Sequence, residues 1–202
     1  MSTELGLAAL AATLEARDHV SAEEKQALAD LGWRARDFAR GTEIVPDRSR
    51  PSESCLLAIG LATRAVLLRN GTRQLTAVHV PGDFVDLHGM LIKRMDHSVV
   101  ALTDCTVCFV EHEKLERLGE THPHLWRLLS VLVAIDSAVQ RAWMVGLGRR
   151  NPLSHLAHLL CELYVRLEIV AAASENEFDF RVGQAELADM LGLSVVHTNR
   201  TV

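Results

Sequence analysis

The chain has no uncharged apolar run of transmembrane length, no block of like charge and no low-complexity tract. A membrane span and an extended disordered region are therefore not expected, and no membrane partner is assigned. Its first residues, MSTELGLAAL, lack the basic start and long apolar core of a secretory signal, which predicts a cytoplasmic protein. Cysteine is scarce: Cys55, Cys105, Cys108 and Cys161 are the whole complement, and in the cytosol thiols rather than disulfides are expected. A Gly-rich phosphate loop, a G-x-S-x-G elbow and an H-E-x-x-H helix are all missing. No catalytic residue is assigned, and no enzyme is expected.

What is present is enough apolar material for a core. Hydrophobic residues make up 49% of 202 positions, which suits one large domain or two small ones. The net charge of −5 argues weakly against nucleic acid, whose phosphates call for Lys and Arg. The objection is limited, because a local basic face on an acidic protein suffices.

The first forty residues read as helical, with Ser21 and Glu24 spaced as a capping box ahead of Leu28 and Leu31. From about Cys55 the period changes. CLLAIGLATRAVLL, TRQLTAVHV and HSVVALTDCTVCFVEH are β-compatible, and they are separated by Asn70-Gly71, suited to a tight hairpin turn, and by Pro81-Gly82-Asp83. Short strands joined by turns predict a small barrel or roll. Helix returns near Glu113. Leu125, Leu128, Leu132, Ile135, Val139, Ala142 and Gly146 then alternate steps of three and four. That is a heptad seam along which two copies can pair, so these seven are the candidate dimer interface; the same spacing also suits a helix packed on its own core.

Asn151-Pro152 supplies a cap and a first-turn proline for another helix, with Leu156, Leu160, Leu163 and Leu167 as its buried stripe. AAASENE reads as a loop and Phe178 to Val182 as a short strand. GQAELADMLGLSVVHTNRTV then gives a helix, a turn at Gly192 and a second helix from Ser194. This is the helix-turn-helix pattern, whose second helix enters the major groove; an ordinary helical hairpin is the plainer alternative.

In this order of parts, and in PGDFVDLHG, LGRRNPLSHLAHLLCEL and QAELADMLGLSVVHTNR, the chain resembles the Crp/Fnr superfamily of transcription regulators over nearly its whole length. The resemblance implies an α+β chain in three regions: a cyclic-nucleotide-binding-like sensor β-roll over 1–120, a dimerisation helix over 121–150, and a winged helix-turn-helix over 151–202. The family pattern would continue past Val202 for a few helical turns and a β-wing. Implied partners are operator DNA, a second copy of the chain, RNA polymerase and a small-molecule effector. The DNA-reading candidates are Ser194, Val195, Val196, His197, Asn199 and Arg200, with Gln184 on a phosphate. Arg200 stands where the family places a base-reading arginine, able to grip guanine O6 and N7. Val196 replaces the family's glutamate reader and offers only a methyl contact.

The candidate effector pocket, by the same resemblance, is Gly82, Asp83, Asp86, Leu87, His97 and Ser98. Cyclic-AMP-binding members present Gly-Glu where this chain has Asp86-Leu87, and Arg-Ser where it has His97-Ser98. A largely neutral His does not replace an arginine fork on a phosphate, so cyclic AMP is not expected to bind. No cysteine precedes Cys55, so the early cysteine set that holds an iron–sulfur cluster in the Fnr branch is absent.

Other constellations receive plainer readings. Cys105 and Cys108 form C-x-x-C, but in a strand they point to opposite faces and are read as small buried apolar groups. His155, His158, Cys161 and Glu162 share a helix without a completing ligand, and His79, His88 and His97 are read as ordinary rather than pH-sensing histidines. No metal and no cofactor is expected. The expected function is a dimeric, sequence-specific DNA-binding regulator. A ligand-binding or protein-interaction module without DNA, and a redox- or metal-sensing regulator, are the alternatives.

Overall fold

A computed structural model describes residues 1–201. Helices α1 (Ser2–Glu15) and α2 (Ala22–Ala29) lead the chain. The capping box at α2 forms in full: Glu24 N–H donates to Ser21 Oγ at 3.2 Å, and Ser21 N–H donates to the Glu24 carboxylate at 2.9 Å. The helical reading of the first forty residues fails at β1 (Arg34–Phe38), which pairs antiparallel with β7 (Cys105–Glu111). Most of β1 is exposed, so it carries no apolar period; the partner strand, not its own composition, makes it a strand.

The roll is completed by β2 (Glu43–Val45), β3 (Glu53–Ile59), β4 (Ala62–Leu67), β5 (Arg73–His79) and β6 (Ser98–Ala101), with the short helix α3 (Gly89–Ile92) before β6. Its two antiparallel sheets run β1-β7-β3 and β2-β6-β4-β5. At the β4–β5 turn only Gly71 takes a positive φ, +83°. Asn70 instead accepts from Thr72 N–H through its side chain at 3.0 Å, so the connection is an Asx-closed loop and not the two-residue hairpin expected of Asn-Gly. Gly82, at φ +90°, lets the next turn press on α1: a Cβ there would stand 2.8 Å from the Ala9 carbonyl oxygen.

Beyond the roll come α4 (His112–Thr121), α5 (Pro123–Arg149), α6 (Pro152–Ile169), the β8 (Ala173–Ser174) and β9 (Glu177–Phe178) hairpin, α7 (Gln184–Leu191) and α8 (Val195–Thr201). Asn151 caps α6, accepting from Ser154 N–H at 2.9 Å. The AAASENE stretch is not all loop: Glu175 and Asn176, both at positive φ, turn β8 onto β9. The strand expected from Phe178 to Val182 stops at Phe178, because Phe180 and Val182 pack singly on the core beside α6.

Three apolar clusters organise the chain. One fills the roll, around Leu57, Val85, Val99 and Val107. A second joins α1, α2, α4 and the start of α5 to the other face of β3 and β7. The third joins β4 and β5 to α5, α6 and α7 through Val78, Trp143, Leu163 and Met190. Cys105 lies in the first and Cys108 in the second, on opposite faces of β7 as strand geometry requires.

The heptad of α5 faces inward. Leu125 and Leu128 are buried in the roll-side cluster, Leu132 and Val139 pack against neighbouring clusters, and Gly146 is buried against His155. The seam is thus accounted for first by packing within one chain. Met144, Val145 and Leu147 are also exposed, and of these Val145 shares one helix face with the exposed Ala134 and Ala138. By length and composition α5 could also cross a membrane, a match the run-by-run reading passed over because Asp136 and Arg141 interrupt the sequence.

Candidate nucleic-acid interface and sensor cavity

Helix α7 ends at Gly192, whose φ of +66° makes the left-handed stop that a side chain resists. Ser194 then caps α8, its Oγ accepting from His197 N–H at 3.2 Å. The inner side of α8 is fixed by Thr198, which is fully buried and donates to Ser194 O at 3.1 Å. Ala188 and Met190 of α7 are buried in the same corner. With that side fixed, Ser194, Val195, Val196, His197, Asn199 and Arg200 all stand exposed on the other, and Gln184 is exposed at the start of α7. Two adjacent valines, Val195 and Val196, remain 43% and 63% exposed.

The same α7 is tied to the roll. Arg73 of β5 grips the Asp189 carboxylate at 2.8 Å, Gln74 donates to Asp189 O at 2.6 Å, and Arg40 pairs with Glu186 at 2.8 Å. Nothing in the sequence order announced these ties, which join residues more than a hundred positions apart.

A cavity of about 90 Å³ lies between the roll and α5, lined by Arg64, His79, Asp83, Leu87 and His88 on one side and Leu132, Ile135, Asp136 and Val139 on the other. Of the six pocket residues expected from sequence, Asp83 and Leu87 line it. Gly82 is held against α1 instead. Asp86 turns away: fully buried, it accepts from Cys55 N–H at 2.7 Å, and burial raises its carboxyl to about 7. Ser98 donates to Ala65 O across the sheet, and His97 sits behind the wall, stacked on His88. The glycine and strand roles came with the fold, but only side-chain direction decides which residue meets the cavity.

The polar groups that do meet it were mostly missed. Arg64 is 3% exposed and pairs with Asp136 of α5 at 2.8 Å. Its strand carries a register shift between Arg64 and Ala65, the kind of bulge that re-aims a side chain. Arg166 of α6 binds Asp83 and also Glu162, the latter at 2.7 Å, and donates to Val78 O at 2.9 Å. Burial pushes the Asp83 carboxyl up most strongly, but the Arg166 guanidinium, His79 and the Val80 N–H together outweigh it and hold the group below its ordinary value. His79 is pushed down, first by burial. A charged residue inside a strand reading as apolar, such as Arg64 in ATRAVL, is the one signal that could have found this cluster.

Residues 35–122 match the family described as the cyclic nucleotide-binding domain. The chain is 25% identical over 170 residues to the transcriptional activator protein FnrL of Cereibacter sphaeroides, covering 83% of this chain and 68% of that one. It is 28% identical over 182 residues to the nitrogen fixation regulation protein FixK of Bradyrhizobium diazoefficiens, covering 90% and 75%. In fold it is similar to FixK2 of Bradyrhizobium japonicum, with a TM-score of 0.74 at 22% identity over 84% of this chain and 82% of that structure. With a roll of the matched kind, one long helix against it and a helix-turn-helix behind, the chain is similar in sequence and in fold to Crp/Fnr-type transcription regulators.

Proposed function

We propose that the chain is a DNA-binding transcription regulator that works as a homodimer and takes a small-molecule signal between the roll and α5. The observation that carries the DNA role is α8: one side locked by Thr198, the other presenting a row of side chains with no structural task. The relatives named as transcriptional activators support the same reading. In this reading Arg200 reads a base, Gln184 and Ser194 position the helix on phosphate, and the operator repeats inverted about one helical turn apart. Site selection from random duplexes tests it; an unselected pool after several rounds would overturn it.

The exposed face of α5, through Ala134, Ala138 and Val145, is the better dimer face than the inward heptad. Val145→Asp should yield monomers by light scattering at micromolar concentration, because it buries a charge in the proposed contact between copies, while leaving the roll folded. A dimer that survives Ala138→Asp and Val145→Asp together places the interface elsewhere. The signal is not cyclic AMP in this reading: Arg64, the buried arginine at the cavity, is already held by Asp136, and Arg166 is held by Asp83 and Glu162, which leaves only the exposed Arg17 at its rim. Micromolar cyclic-AMP binding by calorimetry would refute that.

A further inference from the structure

We propose that His88, Asp96 and His97 form a binding site for a divalent transition-metal ion, Zn²⁺ or a first-row neighbour, at the edge of the sensor cavity. The three come from both ends of the loop that carries α3, and one donor atom from each lies within 4.8 Å of the other two. The rings of His88 and His97 stack with centroids 5.1 Å apart. Nε2 of each ring is shut off from solvent and has no hydrogen-bond partner among the described residues. Two adjacent imidazoles, each with a buried unpartnered nitrogen, are poorly explained as packing.

The loop is built to hold this arrangement. Met95, buried, is pinned on both sides: its N–H donates to Ser49 O at 3.0 Å, and its O accepts from Arg48 N–H at 3.0 Å. Lys93 turns the chain at φ +57°. Gly89 lies so close to Met95 that a Cβ would stand 2.9 Å from its sulfur. This plug sets Asp96 and His97 beside His88. Asp96 Oδ1 meets His97 Nδ1 at 2.7 Å and, with its side chain 76% exposed, gives an ion a way in from water.

The chemistry suits a borderline cation. Two imidazoles and one carboxylate, with positions left open, make a donor set for Zn²⁺ or Fe²⁺. Donor atoms within 4.8 Å of one another can be drawn to about 2.0–2.1 Å from one ion by rotation of the exposed Asp96 side chain and the rings. Arg64 is the cation nearest to discourage a metal, and Asp136 matches its charge at 2.8 Å. His88 also lines the cavity between the roll and α5, so the site adjoins it.

The inference goes beyond the DNA-binding reading and does not depend on it. The test uses the 202-residue chain after chelator treatment, titrated with Zn²⁺ by calorimetry and with Co²⁺ by visible absorption. One ion per protomer with a Kd of about 10 µM or tighter is expected. His88→Gln and His97→Gln should each weaken it roughly tenfold or more, and Asp96→Asn should weaken it measurably. His158→Gln, on the helix with the other histidine group, should leave it unchanged. Weaker wild-type binding, or one ion retained by the His88→Gln/His97→Gln chain, overturns the site. Should the histidine variants not fold, Asp96→Asn decides alone, since its exposed side chain does not support the core; an unchanged affinity there also overturns the site.

Discussion

Around the cavity between the roll and α5, Arg64, His79, Asp83, Asp136 and Arg166 are drawn largely out of water and meet one another. On α8, Val196, His197, Asn199 and Arg200 stand in solvent, and the helix is held by Ser194 and Thr198 instead. The two regions use side chains for different ends. A buried charge is committed to its partner, because leaving it alone costs far more than the pair is worth. An exposed reader is committed to nothing in its own chain. Stability measurements should therefore register the first set and hardly notice the second, and DNA selection should do the reverse.

The sharpest break in that contrast is Asp136→Ala, which strands the Arg64 guanidinium. It should lower the unfolding free energy by about 3 kcal/mol, and Arg64→Met with Asp136→Ala should recover more than half, both by urea titration. A single-variant loss under about 1 kcal/mol would mean that water already reaches Arg64. Next comes Arg200→Ala in a form that binds DNA. It should lose about 1–3 kcal/mol of preference at one base pair per half-site while unfolding within about 0.5 kcal/mol of wild type. Gln184→Ala should weaken all sequences alike; a changed motif there would reassign the readers.

A smaller effect is expected from pH. His79 is held neutral by burial below its ordinary value, so the unfolded chain binds more protons as pH falls below about 6.5. Its contribution to stability is present above that pH and is lost on acidification. His79→Gln should flatten the stability profile between pH 7 and 5, and an unchanged slope would assign the acid sensitivity to another group. The smallest effect belongs to Arg73→Ala, an ion pair open to solvent, which should cost under about 1 kcal/mol and vanish in high salt.

The legibility of the molecule follows the same divide. The capping box at Ser21, the Asn151 cap, the stop at Gly192 and the start at Ser194 were all readable, because each depends on residues within four positions. The strand at Arg34–Phe38 was not, because its reason lies seventy residues away in β7. The α5 heptad was read correctly as a periodic face, but periodicity does not say whether the roll or a second copy covers it. Asp86 was placed in the pocket by its position in a motif, and the fold aims it at Cys55 instead. The meeting of His88 with Asp96 and His97 needed the α3 loop to close, which spacing alone did not show.

The grip of Arg73 and Gln74 on α7 has a consequence for solubility. Both residues belong to β5, and β5 is the last strand of its sheet, paired only with β4. The helix that begins the reading head is therefore also packed on a sheet edge. Any state in which the head swings clear uncovers this edge strand, an invitation to another β-strand. A head that moves for DNA is thus best moved briefly, or with DNA already in hand.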